Sequence, residues 1–185
     1  VRKSVKITEI NEDIYDYGLL RNCVAPVKPG DLAAVLYSSG TTGLPKAIGI
    51  SHENLRANAS SLSSEWALKK SDKLLHALPM YHIHGLFISL NSALMAGTKI
   101  IALASFTVKD VLAHIDQATI FMGVPTYYSR ILNSPLIKNV SFSSIRLFIS
   151  GSAPLPEMTL RRFEALTEEK IIIPSIKNLL KKRRF

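Results

Sequence analysis

One segment of this chain has the composition of a phosphate-binding loop. It contains Ser38, Ser39, Gly40, Thr41, Thr42 and Gly43, followed by Pro45 and Lys46. Glycines allow backbone N–H groups to converge on an anion, hydroxyl groups add uncharged donors, and a lysine supplies a positive charge. It is not a Walker A loop, which has glycine directly before its lysine and Ser or Thr after it. An ordinary polar hairpin is the alternative interpretation, because Gly, Ser and Thr are common in turns.

Two histidines stand in a second segment that could carry chemistry. Residues 78–85 read Leu-Pro-Met-Tyr-His-Ile-His-Gly, so that His82 and His84 are two positions apart. A His-x-His pair can bind a metal ion, but no Cys cluster or further His at ligand spacing accompanies it. A loop histidine without a special role is the other simple interpretation.

Two further segments could contact a ligand, one through small residues and the other through a positive charge. Residues 150–155 read Ser-Gly-Ser-Ala-Pro-Leu, which lacks the pattern of a nucleophile elbow but would let a flat ligand lie against the backbone. A tight strand-to-helix turn would need the same small residues. Residues 124–132 contain Arg130, whose guanidinium would suit a second substrate carboxylate if it faced a pocket. An exposed arginine is the alternative.

The elements around these segments alternate between strand and helix. Apolar runs predict strands at 31–37, 46–51, 73–78, 99–104, 119–124, 145–149 and 171–173. Helical spacing and capping residues predict helices from Ser51, over 85–96, 108–117 and 125–132, and over 156–166. Residues 1–30 are predicted to form one or two strands and a connector. The predicted fold class is α/β, a mostly parallel sheet with helices on both faces.

Ligands of such sheets gather at the carboxyl ends of the strands. The predicted loops at that edge are 38–46, 79–85, 124–128 and 150–154. They contain nearly every chemically suggestive residue, and the first of them is expected to be a mobile flap between two strands.

Composition limits the classes of protein to which the chain can belong. Its 185 residues, 47% hydrophobic, suffice for one domain with a core. The lone Cys23 excludes a disulfide framework and fits a reducing compartment, and we see no signal peptide and no membrane span. A cytoplasmic location is expected. The net charge of +9 arises largely from the tail 168–185, so nucleic-acid binding is not favoured over a solvated end.

The strand–Ser-Ser-Gly-Thr-Thr-Gly-x-Pro-Lys–strand pattern resembles the phosphate loop of the adenylate-forming superfamily. Residues 79–85 match its Pro-x-x-His-x-x-Gly motif, 124–126 its Val-Pro-Thr segment, and 151–155 its Gly-x-Ala-Pro-Leu segment. The combination looks most like the malonyl-CoA synthetase branch. The resemblance spans roughly residues 31–167 and implies a partial amino-terminal AMP-binding domain over 1–167, followed by a divergent basic tail over 168–185.

The resemblance implies a role for each candidate residue. The residues expected to contact the nucleotide are Ser38, Ser39, Gly40, Thr41, Thr42, Gly43, Lys46, Gly151, Ser152, Ala153 and Pro154. Thr41 is also expected to lie near a metal ion. His82 matches the catalytic motif histidine, and His84 matches a position that lines the acid pocket. Arg130 would bind the second carboxylate of a dicarboxylic acid if it faced that pocket. ATP and Mg²⁺ would be bound, CoA would be the co-substrate, and the acid would be a small carboxylic acid such as a dicarboxylate.

The same resemblance predicts incomplete machinery. The family continues into Tyr-Gly-x-Thr-Glu and a carboxyl-terminal domain with an adenylation lysine, and neither follows Thr167 in this chain. We therefore expect a fragment that is inactive alone and needs complementing polypeptides to act as an acid–thiol ligase. The alternative is a non-catalytic remnant that binds nucleotide or has an interaction role.

Overall fold

Strands and helices alternate through this computed structural model, which describes residues 26–38 and 46–173. The strands are β1 (Leu32–Ser38), β2 (Lys46–Ser51), β3 (Lys73–His76), β4 (Lys99–Ala102), β5 (Ile120–Gly123), β6 (Leu147–Ser150) and β7 (Ile171–Ile172). The helices are α1 (His52–Glu65), α2 (Asn91–Met95), α3 (Val108–His114), α4 (Pro125–Leu132) and α5 (Glu157–Thr167). A π-helix (His84–Leu90) runs directly into α2, and 3-10 helices occupy Ile115–Gln117 and Pro135–Asn139.

Five of the strands form a parallel sheet in the order β4-β3-β5-β6-β7. Alternate side chains of each strand point to opposite faces, and two apolar clusters cover them. Leu75, Phe121 and Phe148 pack with residues of α3, α4 and α5. Leu74, Ile120 and Leu147 pack with residues of α1 and α2. The predicted α/β fold, with helices on both faces, is confirmed.

The first two strands form a separate sheet. β1 and β2 pair antiparallel in a two-stranded hairpin, with Ser38 opposite Lys46. The expectation that the strands flanking loop 38–46 belong to the parallel sheet was therefore wrong, and residues 39–45 themselves lie outside the described residues. The physical reason is loop length, since a parallel pair needs a crossover of about a dozen residues or more, whereas a short loop returns the chain antiparallel.

The first turn of α1 attaches the hairpin to the rest of the fold. Ser51 caps the helix as predicted, with its Oγ accepting a hydrogen bond from Asn54 N at 3.1 Å. His52 N donates to the Asp31 carbonyl at 3.1 Å, and Glu53 N donates to the Pro29 carbonyl at 2.8 Å. Two of the free N–H groups at the start of a helix thus bind the chain that enters β1.

Element boundaries differ from the predictions by a few residues. The predicted single helix over 85–96 is a π-helix followed by α2, and the strand predicted over 145–149 lies at Leu147–Ser150. The predicted helix over 125–132 is confirmed. The predictions for residues 1–25 and for the tail beyond Ile173 lie outside the described residues. In the described ranges, none of the helices has the length and apolarity to cross a membrane.

One buried carboxylate binds three segments at the amino ends of the sheet. Asp72 is 3% exposed. It accepts hydrogen bonds from Arg146 Nε at 2.8 Å and Thr119 Oγ1 at 3.0 Å on one oxygen, and from Lys69 N at 2.8 Å on the other. Arg146 Nη2 also contacts that second oxygen and donates to the Ala67 carbonyl at 2.9 Å. Asp72, Thr119 and Arg146 lie shortly before β3, β5 and β6 respectively.

These bonds set the charge state of Asp72. Burial alone would raise its pKa, but hydrogen bonds from Arg146, the Lys69 backbone and Thr119 outweigh burial and lower the pKa. Because the folded pKa lies below the unfolded one, the ionised carboxylate stabilises the fold above the unfolded pKa. This stabilisation is lost as the pH falls through the folded pKa.

We expect Asp72→Asn to reduce the free energy of unfolding by about 2–3 kcal/mol at pH 7, because it removes a charge from a buried hydrogen-bonded pair. Urea denaturation of the full chain measures this. Glu157→Gln, which breaks the exposed Arg161–Glu157 pair, serves as the control and should cost less than about 0.5 kcal/mol. The difference in free energy of unfolding between wild type and Asp72→Asn should shrink below about pH 4, near the unfolded pKa of an aspartate. An equal effect of both variants, or a gap independent of pH, would contradict this role.

Candidate functional site

Three of the predicted loops meet at the carboxyl edge of the parallel sheet. Residues 79–85 follow β3, residues 124–128 follow β5, and residues 150–154 follow β6. β5 lies between β3 and β6, with Met122 opposite both His76 and Ile149. The loops are therefore neighbours because their strands are neighbours.

The loop after β3 folds back on itself and separates its two histidines. His82 N donates to the Pro79 carbonyl at 3.2 Å, and Leu86 N donates to the His82 carbonyl at 3.0 Å. A Cβ atom at Gly85 would lie 2.1 Å from the Pro79 oxygen, so only glycine fits there. In this turn His82 is exposed and His84 is buried. The His82 ring contacts the ring of exposed Tyr81, with 4.5 Å between their centroids.

His84 joins the loop after β3 to the loop after β6. Its Nδ1 lies 3.0 Å from Ser152 Oγ, within hydrogen-bonding distance. Its ring also lies against Gly151, where an added Cβ would be 2.8 Å from Cε1 and 3.2 Å from Nε2. The structure thus brings together His84, Gly151 and Ser152, three of the predicted site residues. Ala153 and Pro154 follow in the same loop and are exposed.

Sequence reasoning missed a second buried histidine beside this contact. His76, the last residue of β3, is 1% exposed, and its Nδ1 lies 3.1 Å from Oγ of buried Ser89 in the π-helix. Its Nε2 has no hydrogen bond of normal geometry to a described residue, and the same holds for Ser150 Oγ. The available sequence signal was a polar side chain inside an apolar strand or helix. Such a side chain is expected to be buried, and buried polar groups usually have a hydrogen-bonding partner.

Both buried histidines favour the neutral form. Burial lowers the pKa of His76, an effect that the Leu78 backbone partly offsets. Burial also lowers the pKa of His84, and the nearby His76 lowers it further. Two neutral imidazoles at this edge can accept or donate hydrogen bonds without carrying charge into the core.

Arg130 lies on the exposed surface of α4. Its guanidinium carbon is 5.1 Å from the centroid of the Phe106 ring, which is a cation–π distance. Phe106 stacks on Tyr127, with 3.6 Å between centroids, and Tyr127 OH lies 3.3 Å from the carbonyl of Ala77, just after β3. Arg130 is thus connected to the carboxyl edge through two rings. No carboxylate in the described residues forms an ion pair with it.

The hairpin closes the base of the predicted phosphate loop. Ser38 ends β1, Lys46 begins β2, and the two are paired in the ladder. Ser39, Gly40, Thr41, Thr42 and Gly43 lie outside the described residues, so their phosphate contacts and the metal contact of Thr41 stay predictions. Within 26–38 and 46–173, no three His, Cys, Asp or Glu side chains could hold a metal ion together.

Comparison with known proteins identifies what this arrangement is similar to. The family model described as "AMP-binding enzyme" matches residues 3–175. The mitochondrial malonate–CoA ligase of Bos taurus is 33% identical over 156 residues, which are 76% of this chain and 27% of that protein. This chain therefore spans about a quarter of the length of that relative.

Solved structures give the same result for the fold. ATP-bound MatB from Rhodopseudomonas palustris is 43% identical, with a TM-score of 0.73 over 80% of this chain and 29% of that one. A malonyl-CoA ligase with methylmalonyl-CoA and AMP bound is 34% identical, with a TM-score of 0.72 over 79% of this chain and 33% of that one. The fold is that of part of the amino-terminal domain of adenylate-forming enzymes.

We expect Gly151→Ala to reduce the free energy of unfolding by about 1–3 kcal/mol, because the new methyl group would collide with the buried His84 ring. Chemical denaturation measures the loss. Gly30→Ala is the matched control, since no atom beyond its immediate chain neighbours lies within 4 Å of a Cβ at that position. In a His84→Ala background the cost of Gly151→Ala should largely disappear. An equal cost in both backgrounds would show that the ring does not set it.

Proposed function

Because this chain belongs to the AMP-binding enzyme family, we propose that it forms part of an ATP-dependent acid–thiol ligase. The observation that carries the proposal is the contact between the His84 ring and Gly151–Ser152, which unites two motif loops at the carboxyl edge of the sheet. Ligands bind at this edge in open α/β sheets. The stretches of its relatives that this chain does not span would come from further polypeptide, joined to it or separate.

The proposed reaction has two steps. In the first, a carboxylate oxygen of the acid attacks the α-phosphate of ATP, and pyrophosphate leaves as the acyl-adenylate forms. In the second, the thiol of CoA loses its proton and attacks the acyl carbonyl, and AMP leaves. Both steps depend on orientation and neutralisation of charge more than on covalent help from the protein.

The residues of this chain would act mainly by holding charge. The β- and γ-phosphates would be bound by the amides and hydroxyls of loop 38–43 and by the ammonium of Lys46. Lys46 pairs with Ser38 at the base of this loop. This donor set fits a nucleotide with Mg²⁺. The metal ion would neutralise part of the phosphate charge and would lie near Thr41. Exposed His82 would meet the reacting carboxylate, and Gly151, Ser152, Ala153 and Pro154 would form one wall of the nucleotide site.

We further propose that the acid is a small dicarboxylate such as malonate, and that Arg130 binds its second carboxylate. The similarity to malonate–CoA ligases supports this choice, and so does an exposed guanidinium connected to the carboxyl edge of the sheet through Phe106 and Tyr127. A guanidinium pairs with a carboxylate through two parallel hydrogen bonds. The cytoplasmic location stays a prediction, which fractionation of cells would test.

The nucleotide part of the proposal is tested by isothermal titration of the full chain with ATP and Mg²⁺. We expect binding that Lys46→Ala weakens roughly tenfold, because a charge-assisted hydrogen bond to phosphate is lost. Lys138→Ala, at an exposed position of the 3-10 helix Pro135–Asn139, is the control and should leave affinity unchanged. No heat with wild type would refute nucleotide binding and favour a remnant with an interaction role.

The acid is tested with malonate and propionate, which differ by one carboxylate. We expect malonate to shift backbone amide resonances of α4, and Arg130→Met to weaken that binding roughly tenfold or more through loss of a charged pair. Propionate should cause little shift in either protein. Arg162→Met, on the exposed surface of α5, is the control. Equal responses to the two acids would refute the dicarboxylate assignment.

A further inference from the structure

The loop after β6 contains a backbone conformation that is unusual for its residue. Ser152 has a φ of 70°, in the left-handed region that normally favours glycine. In the described ranges Ala67 and Glu168 share this feature, but both lie where a helix ends, a common place for it. No helix precedes Ser152 directly, so its conformation needs another cause.

The side chain of His84 supplies that cause. Ser152 is exposed, yet its Oγ reaches inward to the Nδ1 of His84 at 3.0 Å. A hydroxyl group held by a buried partner restricts the backbone that carries it, and strained conformations persist only where neighbouring groups enforce them. The hydrogen bond therefore has the position needed to hold Ser152 in the left-handed region.

The same ring also contacts the preceding residue. Its Cε1, Nε2 and Nδ1 lie 2.8, 3.2 and 3.4 Å from the place where Gly151 would carry a Cβ. Gly151 N in turn donates to the Gly123 carbonyl at 3.1 Å, which continues the pairing of β6 with β5. One imidazole thus contacts two successive residues of the turn, and the sheet holds the turn from the other side.

The ring itself has little freedom to move. His84 begins the π-helix, and the contact of Gly85 with the Pro79 carbonyl fixes the backbone beside it. Only 7% of its surface is exposed. Since one nitrogen faces Ser152 and the ring lies on Gly151, almost no surface is left for a substrate.

We infer that His84 is a positioning residue. Its imidazole holds Gly151 and Ser152 in the backbone conformation that they adopt beside the candidate site. This replaces the direct contact with the acid that the resemblance implied for His84. The inference rests on the proposed function only in taking this turn as one wall of the nucleotide site. Through this contact, the loop after β3 determines the shape of the loop after β6.

Asparagine and glutamine at position 84 provide a matched test. The amide of asparagine lies near the place of Nδ1, whereas that of glutamine lies nearer the place of Nε2. Because the contact is through Nδ1, His84→Asn should keep the bond to Ser152 and His84→Gln should lose it. Hydrogen exchange of the Gly151 amide in the full chain should rise about tenfold or more in the Gln variant and stay within about threefold in the Asn variant.

Two serine variants test the backbone directly. Ser152→Gly loses the hydroxyl but adopts a positive φ without strain, whereas Ser152→Ala loses the hydroxyl and keeps the strain. We expect faster exchange of the Gly151 amide in the Ala variant than in the Gly variant. Adding His84→Gln to Ser152→Gly should have less effect than in the wild type. Equal exchange in the two serine variants would overturn the inference, and so would equal effects of Asn and Gln at position 84.

A nucleotide titration then separates this inference from the proposed function. If both hold, ATP with Mg²⁺ should bind wild type and His84→Asn alike and His84→Gln about tenfold more weakly. If wild type binds no ATP, the proposed function fails, while the exchange measurements, made without nucleotide, still decide the role of His84. A His84 ring resonance that shifts with malonate while the Gly151 amide does not would overturn the inference.

Discussion

The geometry of the sheet depends on one buried carboxylate at its amino edge. Asp72 receives hydrogen bonds from residues that stand just before β5 and β6, and it precedes β3 itself. It therefore holds the starts of three adjacent strands in one register. Since β3, β5 and β6 each have four residues, their carboxyl ends lie side by side as well. The loops meet at the carboxyl edge because these strands are neighbours, and the contacts of Asp72 at the amino edge help to hold the strands in register.

Polar groups at the carboxyl edge connect the loops in a different way. Two histidine–serine pairs connect the π-helix to neighbouring elements. His76 of β3 pairs with Ser89 within the helix, and His84 at its start pairs with Ser152. Burying such groups is costly unless they are paired, and burial keeps both rings neutral. A π-helix between two such pairs agrees with the frequent occurrence of this geometry at functional sites. The carboxyl edge of the sheet is thus held together by neutral hydrogen bonds, and the amino edge by an ion pair.

Elements with clear periodicity and the parallel class of the main sheet could be predicted from the sequence, but the strand order and the separate sheet of β1 and β2 could not. The bounds of α4 and the cap of α1 at Ser51 follow from local signals, a proline in the first turn and a serine hydroxyl at the start. A hairpin at residues 38–46 was only the alternative interpretation, and the π-helix was missed. An apolar run reveals a strand but not its partner, and a nearly all-apolar helix gives no sign of a changed hydrogen-bond pattern. Asp72, His76 and Ser89 were missed because each acts through contacts distant in sequence.

By itself, the sequence identified the family. The residues of 38–46 and of three motif loops were sufficient for this, because they match the family's motifs residue by residue. Only the tertiary structure decided where two near neighbours lie. His82 and His84 have the same side chain in one short segment, and no local pattern distinguishes them. The close contact of Gly85 with the Pro79 carbonyl turns the chain so that His82 faces solvent and His84 lies against Gly151.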